Sequence, residues 1–407
     1  MVSVLKKPTS NSRGVLIFTH KERQFFSSGL DIVESKIKSL KKEYVVGMHW
    51  GIYQPDPVDK IPYVDFHLAR ESTVSFNSET TRIPLVAYNF NPKYMEPLDV
   101  PKRWDILTVA HPSKRKRLSD LLETIKIMFD EGYSPNVLLW CPSPAERGGP
   151  NWDQRFFELY ENIFTNDERD QIELTTPIRD GSLYPLPHEI MPYLYNSSKI
   201  FTLFSNLEGD PRAITEALMC GTPVVVRSDL VGSGKDYLNA ENSEIVTTKR
   251  EAAQTFQEML QNPDKYQVNA DQLGKQLSIE HTAEKLEQGI KSVFQEKRYN
   301  YEGEIIKNNL SMKLPSHEIT LPQRLRQKQS NDIKDIVSFV QFCDYICAGQ
   351  NINTFRLRYY YDCLPYYIEN KDRIAKHQVL KLLRYAGKRT GLPIESAARQ
   401  LQSLGEK

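Results

Sequence analysis

The chain has 407 residues, of which 26% are Asp, Glu, Lys or Arg, and a formal net charge of +1 at pH 7. That length supports two or three domains with cores of their own, and so even a charge balance gives no global field to hold nucleic acid. The five cysteines (Cys141, Cys220, Cys343, Cys347 and Cys363) are odd in number, lack metal-ligand spacing and fit free thiols in a reducing cytosol.

The N-terminal stretch "MVSVLKKPTSNSRG" has no apolar core of the secretory type, and no run of about 18 apolar residues occurs anywhere. The expectation is a cytoplasmic protein, at most peripheral to a membrane. Short apolar runs follow, "GVLIF", "YVVGMHW" and "IPLVAYNF", and "GLDIVESKIKSLKKE" between the first two has helical spacing. Residues 1–98 therefore read as a short α/β domain, ending in the Pro-punctuated linker "KYMEPLDVPKRW".

From 99 to 298 strands and helices alternate. "WDILTVA" predicts a strand, "RLSDLLETIKIMFDEG" a helix stopped by Gly132, and "NVLLWCP" a second strand. "NWDQRFFELYENIFTN" is helical, "QIELTTPI" extended and "HEIMPYLYNSS" a short helix. "KIFTLFS", "PRAITEALMC" and "PVVV" give strand, helix, strand, followed by the strand "SEIVTT" and the helix "REAAQTFQEMLQN". This rhythm predicts an α/β fold with a Rossmann-type parallel sheet covered on both faces. Residues 299–407 lack strand signals and read as a linker, "NNLSMKLPSHEITLPQRLRQKQS", and a helical extension.

The chemistry concentrates in "NLEGDPRAITEALMCGTPVVV". Asp210 is expected as the N-cap, Pro211 as the first helical residue and Gly221 just past the end. The start of this helix then faces the carboxyl edge of the sheet, where open α/β folds bind ligands, and its free N–H groups suit an anion. Glu208 lies before the cap and Glu216 two turns into the helix. A carboxylate accepts two hydrogen bonds from a vicinal diol, so two such acids about an anion seat describe a nucleotide sugar. Taken singly, Asp210-Pro211 is an ordinary helix start and Glu216 a solvated helix residue.

The same segment resembles the E-x7-E signature of retaining GT-B glycosyltransferases of the family 4 type (glycosyl transferases group 1). The likeness continues into "SDLVGSGKDYLNAENSEIV" and, upstream, into "NFNPKYMEP", over about residues 90 to 290. It implies a glycosyltransferase that moves a sugar from a nucleotide-diphosphate sugar to an acceptor hydroxyl with retained configuration, without cofactor or catalytic metal. By the resemblance, Glu208 contacts the transferred sugar, backbone at Gly209, Asp210 and Pro211 with Arg212 in the same turn holds sugar and phosphate, and Glu216 takes the ribose hydroxyls. Pro211 has no N–H, a departure from the family's Phe-Gly.

The family's basic G-R-x4-K motif corresponds here to "VAHPSKRKRLSDLL", with Arg117 at the Lys position and Pro112 at the Arg position. His111, Lys114, Arg115 and Lys116 crowd that turn. Lys116 and Arg117 are the cations expected to stabilise the leaving phosphate, whereas the plain reading is a solvated basic turn. His49 in "VVGMHWG" resembles the family's strand-end His, with His20 in "LIFTH" as its rival and a structural role as the plain alternative. The resemblance makes residues 1–98 the acceptor side, shorter than usual. The expected acceptor is a glycan or lipid-linked glycan.

"GSGK" at 232–235 lacks the first Gly and the Ser/Thr of an ATP-binding loop, so that reading is rejected. The basic, aromatic stretch "FRLRYYYDCLPYYIENKDRIAKHQVLKLLRYAGKR" reads as a packed helical cap, with contact to an anionic membrane as the alternative. Two rival functions remain. One is a catalytically inactive GT-B-like binding or scaffold subunit, which the intact Glu pair opposes. The other is a nucleotide-sugar epimerase on the same fold.

Overall fold

A computed structural model describes residues 2–86, 89–141, 152–175, 178–179, 182–183, 188–209, 211–305 and 343. Asp210, residues 176–177, 180–181 and 184–187, and the expected C-terminal linker and helices lie outside the described residues. The chain up to residue 305 divides into two compact units, one of Met1–Val46 with Ile61–Val64, the other of Gly47–Lys60 with the residues from Asp65 onward.

In the first unit, β1 (Val2–Lys6) runs antiparallel to β2 (Gly14–Thr19). Sequence reading missed β1, because five residues interrupted by Ser3 and ending in Lys6 carry little strand signal. Lys6 is nonetheless buried, its Nζ donating to Ser12 Oγ at 2.9 Å and the Arg13 carbonyl at 2.8 Å across the hairpin. Gly14 is needed for space, since a Cβ there would lie 2.5 Å from the Tyr44 ring. The amphipathic segment forms α1 (Asp31–Glu43), burying Val33, Ile37 and Leu40 at spacings of four and three. His20 stands on a one-turn helix after β2, half-buried.

The strand β3 (Tyr44–His49) ends in the second unit, where Gly47–His49 pair in parallel with β4 (Phe66–Leu68), which pairs with β5 (Arg82–Ile83). "IPLVAYNF" thus supplies only the end of a two-residue strand: Pro84 has no N–H for a ladder.

The main sheet takes its strands as expected: β6 (Trp104–Val109), then α2 (Leu118–Asp130), β7 (Val137–Trp140), α3 (Trp152–Ile163) and β8 (Ile172–Thr175). After α4 (Met191–Asn196) come β9 (Ser198–Leu203), α5 (Arg212–Met219), β10 (Val224–Arg227) and β11 (Ser243–Val246). The strand order is β11-β10-β9-β6-β7-β8, all parallel. All four residues of β10 are buried, so both faces are covered, as the continuous apolar run requires. Helix α2 lays Leu121, Leu122, Ile125 and Met128 onto the core, and Gly132 ends it at φ +84°.

Three helices follow: α6 (Lys249–Gln261), α7 (Ala270–Leu277) and α8 (Ile279–Glu296). Only α6 was anticipated. Asn269 and Ser278 cap the other two by accepting from the amides of Gln272 and His281. Helix α8 packs on β5: Gly289 lies bare against Ile83, and Thr81 donates to Glu296 at 2.8 Å.

Candidate functional site

In chain order, β6 to β8 build one half of the sheet and β9 to β11 the other, so the direction reverses between the neighbours β6 and β9. At such a reversal the loops leaving the two strands part, and a crevice opens outside their carboxyl ends. The loop leaving β6 holds His111 to Arg117. The loop leaving β9 runs through Glu208 and Gly209 to Arg212. Two segments, each picked out by its chemistry and meeting at residues 92 positions apart, therefore leave the sheet at its reversal point.

They meet through an ion pair. Lys116 Nζ donates to Glu208 Oε1, with both side chains largely buried (12% and 8% exposed). Backbone holds the two loops in register, for the Asn206 amide donates to the Arg115 carbonyl at 3.0 Å. Arg117, expected to share the phosphate role, is turned elsewhere. It adopts a left-handed backbone (φ 48°, ψ 40°) at the cap of α2, its Nε donates to Asp120 Oδ2 at 2.7 Å and its Nη1 to Asp229. Burial lowers the affinity of Arg117 for its proton, but the two carboxylates outweigh this and its pKa is raised. Lys114 and Arg115 are exposed on the same turn and His111 is half-buried at the end of β6.

The Glu208 corner is built of backbone in close approach. Glu208 pairs with Gly232 in a short parallel bridge, and Gly232 (φ +92°) has no room for a Cβ against the Glu208 carbonyl. A Cβ on Gly209 would lie 2.6 Å from both Gly51 O and Ile52 Cα. Glycine is needed at 209 because backbone crosses backbone. Ser233 Oγ donates to the Gly209 carbonyl. The segment leaving β3 is thus pressed on this corner, and His49, buried at the strand end, stands two residues ahead of the contact. Its neighbour Trp50 donates Nε1–H to His67 Nδ1 at 3.0 Å, and burial pushes His67 down to about 4.

Helix α5 begins at Arg212, with Pro211 (φ −78°, ψ 80°) at its N-cap. The start is one residue later than expected, because the ψ of Pro211 lies well outside the helical range. Pro211 has no N–H to offer, and it packs against Gly234, where a Cβ would lie 2.9 Å from Pro211 Cγ.

Glu216 is not a solvated helix residue: it is 5% exposed. His188 Nε2 bonds its Oε1 at 2.9 Å, the Tyr195 hydroxyl donates to Oε2 at 3.0 Å, and Arg212 Nη2 stands 3.6 Å from Oε1. Burial alone raises this carboxyl's pKa, and the donors from His188, Arg212 and Tyr195 reverse that to a net lowering. Beyond His188, the Tyr94 hydroxyl bonds Nδ1 at 2.8 Å. Burial and the Glu216 charge drive the Tyr195 hydroxyl well above its ordinary range. Sequence reading missed Tyr94, His188, Tyr195 and Asp229; their only linear signal is polar or aromatic character beside a predicted element.

Comparison with known proteins agrees with this architecture. Residues 183–276, which include His188, Glu208 and Glu216, match the family described as "Glycosyl transferases group 1". No curated protein sequence matches the chain. Among solved structures the chain is similar to TarM, at 10% identity and a TM-score of 0.50 over 69% of this chain and 54% of that one. It is also similar to sucrose-phosphate synthase from Thermosynechococcus elongatus, at 16% identity and 0.47 over 65% and 71%. A third is the pneumococcal O-GlcNAc transferase GtfA, at 13% and 0.47 over 67% and 59%. The chain spans little more than half the length of TarM and of GtfA. The fold is α/β of the GT-B glycosyltransferase type.

Proposed function

We propose that this protein is a glycosyltransferase that transfers a sugar from a nucleotide-diphosphate donor to an acceptor hydroxyl, with retention of anomeric configuration. One observation carries the reading: a buried Lys116–Glu208 pair stands at the reversal point of the sheet, beside the close-packed Glu208–Gly209 backbone corner. A leaving diphosphate needs a cation where charge develops, and a carboxylate held beside that cation can accept from the hydroxyls of the sugar. The match over residues 183–276 supports it.

In this mechanism Lys116 stabilises the departing phosphate oxygen, assisted by Lys114 and Arg115 on the same turn and by the start of α5. The bond from C1 to the phosphate oxygen breaks and its electron pair stays on that oxygen. The acceptor oxygen bonds C1 on the same face, and its proton passes to the phosphate oxygen. Glu208, held by Lys116, orients the sugar, Gly209, Pro211 and Arg212 line its seat, and Glu216 with His188 stands on the nucleoside side. His49 lies on the acceptor side of the Gly209 corner. The chemistry uses no cofactor, because side-chain cations and helix amides supply the positive charge. The acceptor is a glycan or lipid-linked glycan, and the setting is cytoplasmic. Among the described residues no helix is long and apolar enough to cross a membrane.

The test is calorimetric titration with UDP, GDP, ADP and their common hexose conjugates, on wild type and Lys116→Ala. Micromolar binding of one conjugate, weakened at least tenfold by the substitution, is the expected result. Absence of binding across the panel removes the donor site and leaves the non-catalytic reading.

A further inference from the structure

The "GSGK" stretch has no part in an ATP site, yet its geometry is specific. Gly232 pairs with Glu208, Ser233 donates to the Gly209 carbonyl, and Gly234 (φ +134°) lies bare against Pro211 and Ile214. Three consecutive residues of this loop therefore bear on three residues of the sugar corner. Lys235 Nζ folds back to the Ser228 carbonyl at 3.1 Å and closes the loop on itself. What holds the loop from outside is the pair that follows it, Asp236 and Tyr237.

Both are gripped by the stretch after β4. Arg70 Nε stands 3.2 Å from Asp236 Oδ2, and Ser72 Oγ donates to the same oxygen at 3.2 Å. Arg70 Nη1 donates to the Tyr237 hydroxyl at 3.4 Å while its guanidinium lies 5.5 Å from the centre of that ring. Asn89 Nδ2 donates to the same hydroxyl at 2.7 Å. One arginine thus engages two successive residues, by charge and by stacking, as lysine's point charge could do only in part.

We propose that Arg70 is a positioning residue for sugar transfer: through Asp236 and Tyr237 it sets the Gly232–Gly234 loop, which sets the Glu208–Gly209 corner that meets the sugar. The inference rests on the donor reading above. The contacts of Arg70 given above reach Asp236 and Tyr237 and through them the Gly232–Gly234 loop, so its effect is expected to fall more on the sugar half of the donor than on the nucleotide half. The Arg70–Asp236 pair is partly exposed (27% and 18%), so the Arg70 variants are expected to fold, as their thermal melts check.

The experiment is titration of the full chain with UDP-glucose, GDP-mannose and ADP-glucose, and with UDP, GDP and ADP, for wild type, Arg70→Ala, Arg70→Lys and Tyr237→Phe. For the nucleotide that binds, Arg70→Ala is expected to lower affinity for the sugar conjugate at least tenfold and to leave the bare diphosphate within twofold. Arg70→Lys, which keeps the charge toward Asp236, restores part of the loss. Tyr237→Phe, which keeps the ring under Arg70, stays nearer wild type than Arg70→Ala. Equal losses for conjugate and diphosphate, or no loss for either, overturn the assignment while the donor site stands. Wild type that binds none of the six removes the donor reading and this inference with it.

Discussion

His188 Nε2 lies 2.9 Å from Glu216 Oε1, and the Tyr195 hydroxyl closes the other carboxylate oxygen from 3.0 Å. Glu216 is therefore a structural anchor as well as a candidate for the nucleoside. Glu216→Ala leaves Arg212 and the fully buried Tyr195 without their carboxylate, and stability is expected to fall by about 3 kcal/mol. His188→Ala, at the more exposed partner, costs about 1 kcal/mol. Urea denaturation ranks the two. Calorimetry is expected to find nucleotide binding weakened in both.

Two buried groups give stability an acid-side slope. Burial depresses His67 from 6.5 to about 4, so as pH falls the unfolded chain takes the proton first. The contribution, about 3 kcal/mol at most, is full above pH 6.5 and is lost on the way down to pH 4. Glu216, also lowered in the folded state, keeps its contribution above 4.5 and loses it as pH falls through the folded value. His67→Asn, which keeps an acceptor for Trp50, is expected to flatten the decline between pH 7 and 5 in urea melts. An unchanged slope would rule His67 out as its source.

Lys116 and Arg117 are neighbours with opposite tasks. Arg117 is committed to Asp120 and Asp229, pairs that are partly exposed, so Arg117→Ala is expected to cost only about 1 kcal/mol and to leave nucleotide affinity within threefold. Lys116→Ala is expected to lower affinity or turnover at least tenfold. A reversed ranking in the same titration would place the phosphate at Arg117.

Gly209→Ala puts a methyl 2.6 Å from backbone atoms of Gly51 and Ile52, which no side-chain rotation relieves. A loss of about 2 kcal/mol is expected, together with weaker binding of the sugar conjugate. Gly274→Ala, at a helical glycine with open space around it, is expected to stabilise by about 0.5–1 kcal/mol and serves as the contrasting control. Thermal melts of the two variants settle the comparison.

Element type was legible wherever a periodic apolar run carried it: α1, α2 and every strand of the main sheet stand where the pattern puts them. The misses have local causes. Pro84 cuts "IPLVAYNF" short, and the non-helical ψ of Pro211 moves the helix start to Arg212. Helices α7 and α8 are broken at Ser278, which hid their common rhythm.

By itself the sequence determined an alternating α/β chain, the turn rich in cations after β6 and the two acids about the α5 start, because each is a local pattern of period, cap or charge. Only the tertiary structure decided that β6 and β9 are neighbours, that Lys116 and not Arg117 meets Glu208, and that Glu216 is already held by His188 and Tyr195. Those relations join residues from 21 to 94 positions apart. Their partners are chosen by packing and burial, which pair side chains across the fold and leave no periodic trace along the chain.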